Sequence, residues 1–164
     1  MSVVFLDVDG VLTDGGLYYS PRGETLKRFN ALDGHGLKLL QLAGMVPVII
    51  SGRDSKPLRL RLQALGVLHA HFGVIDKVAA AQTVLGALGK HWGDAAVMGD
   101  DWADLPLMRR CAFAAAPANA HGEVLAVADF VSSKAGGAGA VRELCDVLLM
   151  ASGKYARLLK EAAA

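Results

Sequence analysis

The chain alternates between short apolar runs and longer stretches of helical period, and that alternation constrains its fold more than any other feature. Apolar runs occupy 2–8 (SVVFLDV), 46–51 (VPVIIS), 67–73 (VLHAHFG), 94–100 (DAAVMGD), 111–117 (CAFAAAP) and 128–133 (ADFVSS). Helical spacing fills 36–43, 55–65, 77–88, 103–110, 120–126 and 138–150. Strands joined by helices run parallel, because a parallel neighbour can be reached only by a crossover of about a dozen residues. Runs that are apolar without strict alternation are buried on both faces. The expected fold is therefore α/β, with a central parallel sheet between two layers of helices. A chain of 164 residues is enough for one such domain. No repeat or low-complexity linker divides it, so 1–164 is read as a single domain.

One segment departs from the alternation. LYYSPRGETLKRF (17–29) places two short β-prone pieces around Ser20, Pro21, Arg22 and Gly23, residues that favour turns. A β-hairpin across about 16–30, projecting from the sheet, is the expectation. Residues from about 153 onward are expected to form a short, loosely held tail.

Charge narrows the function. Lys and Arg number 17 against 16 for Asp and Glu, so no overall field draws the protein to nucleic acid or an anionic membrane. The apolar runs are far shorter than a membrane span, and the N-terminus lacks the basic start of a signal peptide. Cys111 and Cys145 lack metal-ligand spacing and suit the reduced thiols of a cytoplasmic protein. Any electrostatic purpose must be local.

The local charge is concentrated where strands end. The first apolar run closes on Asp7-Val8-Asp9-Gly10, the run at 94–100 on Gly99-Asp100-Asp101, and the run at 46–51 on Ser51-Gly52. Residues two apart on a strand share a face, and in an open parallel sheet the ligand crevice lies beyond the carboxyl ends of the strands. Each Asp or Ser alone is explained by capping the next helix. Carboxylates brought together from two strand ends repel one another unless a cation compensates, so the pair of motifs is not explained by capping. A hard divalent cation such as Mg²⁺ suits that donor set. Lys77, opening the helix after FGVID, would complete a phosphate site beside it.

DVDGVLTDG, SGR, Lys77 and GDDWAD stand in the order and spacing of the four motifs of the haloacid dehalogenase superfamily, and the resemblance covers nearly the whole chain. KRFNALDGHG after the hairpin, SGRDS, and AGGAGAVRELCDVLL near the end resemble more narrowly its 3-deoxy-D-manno-octulosonate 8-phosphate phosphatases. That resemblance implies a Rossmann-like three-layer sandwich without an inserted cap domain. Its hairpins pack into a homotetramer in which neighbours close each other's active sites. It implies a Mg²⁺-dependent phosphatase acting on a sugar-acid phosphate. Asp7 would be the nucleophile and Asp9 the general acid and base. Asp7, the backbone carbonyl of Asp9, and Asp100 would hold the metal. Ser51, the Gly52 amide and Lys77 would bind the phosphate, and Asp101 and Asp104 would orient Lys77 or metal-bound water.

The resemblance also implies that the segment Asn30 to Gly34, including Asp33, touches the sugar acid together with Lys38, Arg53 and Arg61. This chain departs from the family at position 51, where Thr is commoner than Ser, and at position 38, where Arg is commoner than Lys. Lysine there forfeits the bidentate grip of a guanidinium on a carboxylate. Arg61 also reads as the solvated side of an amphipathic helix, LRLRLQALG. Gly136, Gly137 and Gly139 read as a tight loop and not a phosphate cradle, since no P-loop lysine follows.

Other readings remain open from the residues alone. One is a phosphatase of the same superfamily for a nine-carbon acid 9-phosphate or another small ester; Arg53 leans against the nine-carbon acid, because that branch tends to carry an acidic residue there. Another is a non-catalytic tetramerising domain, which the presence of Asp7, Asp9, Lys77 and Asp100 disfavours. A response-regulator receiver domain also gathers acids and a lysine, but it is shorter and carries its acidic pair and phosphoacceptor on different strands.

Overall fold

Val3–Leu6, the first apolar run, forms strand β1 at the centre of the sheet, and all four of its residues are buried. The computed structural model describes residues 1–163. After β1 come β2 (Tyr18–Ser20) and β3 (Gly23–Leu26), then α1 (Ala31–Leu42), β4 (Val46–Ile50), α2 (Lys56–Leu65), β5 (His69–His71) and α3 (Lys77–Leu88). The chain continues through β6 (Ala95–Met98), α4 (Leu105–Met108), β7 (Phe113–Ala116), α5 (Gly122–Leu125), β8 (Phe130–Val131), α6 (Ala140–Ala151) and α7 (Tyr155–Ala162). Six strands pair in parallel in the order β5-β4-β1-β6-β7-β8, while β2 and β3 form a separate antiparallel hairpin.

The two faces of the sheet divide the core as strand alternation requires. Val4 and Leu6 pack with residues of α1, α2, α6 and α7, among them Leu37, Leu40, Leu58, Leu62, Leu144 and Leu158. Val3 and Phe5 pack with Ala81, Val84 and Leu85 of α3 and with Leu107, Met108 and Val124. The result is the three-layer α/β sandwich read from the sequence. Among the described residues no helix is long and apolar enough to cross a membrane.

Three segments differ from the sequence reading. α1 begins at Ala31, five residues ahead of the expected start at 36, because Asn30 caps it: its side-chain oxygen accepts the Leu32 N–H at 2.7 Å. The helix expected at 103–110 is a 3₁₀ turn over Trp102–Asp104 followed by the short α4. The tail from about 153 is ordered as α7, whose Leu158 is buried and whose Tyr155 packs against the core. Arg157, Lys160 and Glu161 interrupt the apolar stripe in a segment too short for helical period to stand out. The Gly-rich loop is tight, as expected. A methyl group on Gly136 would lie 1.8 Å from the Gly10 carbonyl oxygen, so only glycine lets the two backbones meet.

The chain leaves the centre of the sheet at β1, builds one side through β4 and β5, and returns to build the other through β6, β7 and β8. β1 therefore has neighbours from two different excursions of the chain. Beyond its carboxyl end the two excursions part, and a crevice opens there.

Candidate active site

Asp7 is the first residue past β1, and its N–H still donates to Met98 O at 3.2 Å, so its position is fixed by the sheet. The backbone then turns sharply: the N–H groups of Val11 and Thr13 both donate to Val8 O, at 3.2 and 3.0 Å. Gly10 enters this turn with φ of +92°, and a β-carbon there would lie 2.1 Å from Asp100 Oδ2. Asp100 thus packs directly over the Asp-x-Asp-Gly turn, in the space a side chain at position 10 would fill.

Asp7, Asp100 and Asp104 each bring a carboxylate oxygen within 4.8 Å of the others. Burial first, then repulsion from Asp104, lifts the Asp7 carboxyl to about 6 despite its contact with Lys77. Burial, followed by Asp7, Asp104 and Asp101, lifts Asp100 to about 7. Asp100 Oδ1 is buried and has no hydrogen-bond partner. Carboxylates forced together with an unsatisfied oxygen among them fit a divalent cation.

Lys77 opens α3 and is buried, 8% exposed. Its ammonium lies 2.8 Å from Asp7 Oδ1 and 2.7 Å from Asp104 Oδ1. Burial pulls its pKa down, but Asp7 and Asp104 outweigh this and hold it above the usual lysine value. The second oxygen of Asp104 accepts the Asp100 N–H at 3.1 Å. Asp104 is therefore occupied on both oxygens, and its geometry suits orienting Lys77 and Asp100 better than binding metal. Asp101 accepts the Trp102 N–H at 2.8 Å and caps the 3₁₀ turn.

Ser51 is buried at the end of β4, and its hydroxyl accepts the Arg53 N–H at 3.1 Å, bending the chain so that Gly52 is exposed. Asp9 lies beside the hairpin. Its Oδ1 accepts a hydrogen bond from Lys27, and its Oδ2 faces Arg53 Nε at 3.6 Å. Arg53 also binds Glu24 at 3.1 Å and the Tyr19 hydroxyl. Lys27 and Glu24 were missed in the sequence. A lysine and a glutamate three apart on a hairpin strand read as solvated charges, yet the Lys27 side chain is 1% exposed and the Glu24 side chain 7%.

The expected sugar-contacting residues divide into two groups. Arg53 stands at the site. Asp33 does not face it: buried in α1, it accepts the N–H groups of Gly139 at 3.3 Å and Arg142 at 2.8 Å and so caps α6. Burial raises its carboxyl above the usual range in spite of those bonds. The expectation that Asp33 contacts substrate is corrected on this point. Its side chain was read as lying in a loop, whereas the earlier start of α1 turns it toward α6. Asn30 is committed to capping α1. Gly34, Lys38 and Arg61 line a separate shallow depression of about 200 Å³ with Ala31, His35 and Leu65. Arg61 lies over Gly34, where a β-carbon would meet its guanidinium at 2.2 Å, and reaches the Asn30 carbonyl at 3.4 Å.

Comparison with known proteins follows the same lines. Residues 64–144 match the family of haloacid dehalogenase-like hydrolases. The chain is 41% identical over 152 residues to the 3-deoxy-D-manno-octulosonate 8-phosphate phosphatase KdsC of Escherichia coli K12, covering 93% of this chain and 81% of that protein. A crystal structure of the Moraxella catarrhalis 3-deoxy-D-manno-octulosonate 8-phosphate phosphatase, in complex with magnesium, phosphate and KDO, superposes with a TM-score of 0.95. It is 34% identical and covers 98% of this chain and 92% of that one. The cobalt-bound Haemophilus influenzae phosphatase gives 0.92 at 40% identity, over 94% and 91% of the two chains.

Proposed function

The chain belongs to the 3-deoxy-D-manno-octulosonate 8-phosphate phosphatases of the haloacid dehalogenase-like hydrolases, and on that premise we propose that it hydrolyses KDO 8-phosphate to KDO and phosphate with Mg²⁺. The observation that carries this reading is the union of Asp7, Asp100, Asp104 and Lys77 at the carboxyl end of β1.

Asp7, the Asp9 carbonyl and Asp100 would hold Mg²⁺, and the unpartnered Asp100 Oδ1 fits that role. When bound, the metal supplies positive charge that lets a carboxylate approach an anionic phosphate. Asp7 attacks phosphorus through a carboxylate oxygen, the bond from phosphorus to the sugar oxygen breaks, and Asp9 gives that oxygen its proton. Asp9 then takes a proton from water as the water attacks phosphorus, the bond from phosphorus to Asp7 breaks, and free phosphate leaves. Ser51 and the Gly52 N–H bind phosphate oxygens, and Lys77, oriented by Asp104, balances their charge.

Arg53 meets the anionic substrate at the site. Lys38 and Arg61 lie in their own depression, and we assign them to the site of a neighbouring subunit. That assignment belongs with a homotetramer formed through the hairpins. Leu17, Tyr18, Tyr19 and Leu26 are all exposed on or beside that hairpin, and a lone two-stranded hairpin is marginal in water. The balanced charge and the free Cys111 and Cys145 support a cytoplasmic protein without nucleic-acid or membrane partners.

The test is a panel of sugar phosphates and sugar-acid phosphates assayed with Mg²⁺, with Asp7→Asn as the control. KDO 8-phosphate should give the highest kcat/KM. The folded Asp7→Asn variant should lose on the order of 10³-fold or more in turnover, because covalent catalysis is removed. A panel led by a nine-carbon acid 9-phosphate would reassign the substrate, and a turning-over Asp7→Asn variant would reassign the chemistry.

A further inference from the structure

Asp9 belongs to a ring of four charges that is open at one link. Lys27 donates to its Oδ1, and Glu24 Oε1 lies 2.7 Å from the same ammonium. Glu24 Oε2 lies 3.1 Å from Arg53 Nη2, and Arg53 Nε faces Asp9 Oδ2 at 3.6 Å. Three of these links are of bonding length. The fourth is open, and Arg53 Nε is buried there without a hydrogen-bond partner. The two oxygens of Asp9 are therefore unlike. One is anchored, and the other faces a gap bordered by an unused donor.

The anchor is built at some cost. Lysine normally carries its ammonium into water, and burying it is unfavourable unless its donors are met. Glu24 shares the ammonium and offsets its charge, so Lys27 acts on Asp9 through direction more than through net field. Lys27 and Glu24 belong to the hairpin and its return, whereas Asp9 belongs to the turn after β1. The hairpin's seat and the direction of the Asp9 carboxylate are thus set by one contact.

We propose that Lys27 is the positioning residue for Asp9: by anchoring Oδ1 it leaves Oδ2, beside Arg53 Nε, as the oxygen that exchanges the proton with the leaving group. The proposal rests on the reading of Asp9 as the general acid and base. It has a kinetic signature. A sugar alkoxide needs a proton to depart, whereas a nitrophenolate does not, so a misdirected Asp9 lowers kcat/KM of the first substrate selectively; the later proton transfer from water is common to both and enters only kcat.

The experiment measures kcat/KM and KM of Lys27→Met, Lys27→Arg and Asp9→Asn on KDO 8-phosphate and on 4-nitrophenyl phosphate, with Mg²⁺ saturating. For Lys27→Met we expect a loss of about 100-fold in kcat/KM on the sugar phosphate, carried by kcat, and of less than about threefold on the aryl ester. Lys27→Arg, which keeps the cation, should recover part of the difference. Equal losses on both esters in both lysine variants, or a selective loss accompanied by dissociation in light scattering, would make Lys27 a structural residue and overturn the proposal, as would no loss on either. Asp9→Asn separates the two levels. If it shows no dependence on the leaving group, the role given to Asp9 fails. If it does and Lys27→Met does not, only the positioning role fails.

Discussion

Lys77 donates to Asp104 Oδ1 at 2.7 Å, joining the start of α3 to the turn that follows β6. The contact closes a chain of support. Asp104 Oδ2 holds the Asp100 N–H, and Lys77 lies against Asp7. An asparagine at 104 cannot serve both neighbours, because its single oxygen faces either the ammonium or the N–H and its NH₂ then opposes the other donor. Asp104→Asn should lower kcat by about 10- to 100-fold and weaken Mg²⁺ binding, as loss of a group orienting ligands does. Kinetics over a Mg²⁺ titration check this; unchanged kcat at saturating metal would separate Asp104 from the chemistry.

The metal-free protein should grow less stable as pH rises from about 4 to 7. Asp7, near 6, and Asp100, near 7, titrate above the usual carboxylate range of about 4. Their protonated forms therefore favour the fold. That stability is complete below the unfolded value and is lost as pH passes through the folded ones. Glu24 and Glu143 are shifted the other way, so their contribution is in place above about 4.5 and changes only at the lower edge of this window. Melting in chelator should give a lower Tm at pH 7.5 than at pH 5. Mg²⁺ should restore Tm at pH 7.5, and Asp100→Asn should flatten the slope. A Tm that rises with pH in chelator would contradict the assignment.

Activity should vanish in EDTA and return with Mg²⁺, with Mn²⁺ and Co²⁺ as substitutes and Ca²⁺ supporting little turnover. Calcium takes a larger and looser oxygen shell, which would misplace the nucleophile. Steady-state rates after dialysis against each metal decide this; full activity in chelator would assign the carboxylates another purpose.

Asp33→Ala should act on stability before activity. It strips the acceptor from the Gly139 and Arg142 N–H groups, which then lie at a buried helix start. The expected cost is about 2 kcal/mol, or roughly 4–8 °C in Tm for a chain of this size. KM should change less than about threefold, a small loss of the kind expected when no substrate contact is removed. A large KM effect with unchanged Tm would return Asp33 to the substrate.

Leu26→Asp tests the shared lid. Leu26 is 56% exposed and makes no polar contact, whereas Tyr19 also binds Arg53 within its own chain, so position 26 isolates assembly. Light scattering should show dissociation, and KDO 8-phosphate turnover should fall much further than turnover of a small aryl ester. A wild-type protein that is monomeric at micromolar concentration yet fully selective would exclude the shared lid.

The strands and the acidic motifs were legible because each is written in consecutive residues. A run such as VVFL has one low-energy destination, between two helix layers, and carboxylates gathered from two strand ends are not explained by helix capping. What escaped the sequence depends on contacts between distant segments. Lys27 meets Asp9 across 18 residues, and nothing adjacent to it in sequence marks it as buried. Asp33 meets Arg142 across 109, and its place in LDGHG reads equally well as a loop. α7 was hidden for a different reason: it spans only about two turns, too few for the period of its apolar stripe to stand out.

The central place of β1 also orders events during synthesis. Val3–Leu6 is made before either of its neighbours in the sheet, and one of its two edges pairs with β6, which begins only at Ala95. Until then only β4 can pair with it, and the N-terminal carboxylates have no Asp100 opposite them. A nascent chain halted before residue 95 holds a strand of four apolar residues with an open edge, the kind of surface that recruits chaperones or sticks to other chains. Closing the sheet and completing the acidic cluster are then one event, so a molecule with Asp7 exposed and Asp100 absent is also one whose sheet has not finished pairing.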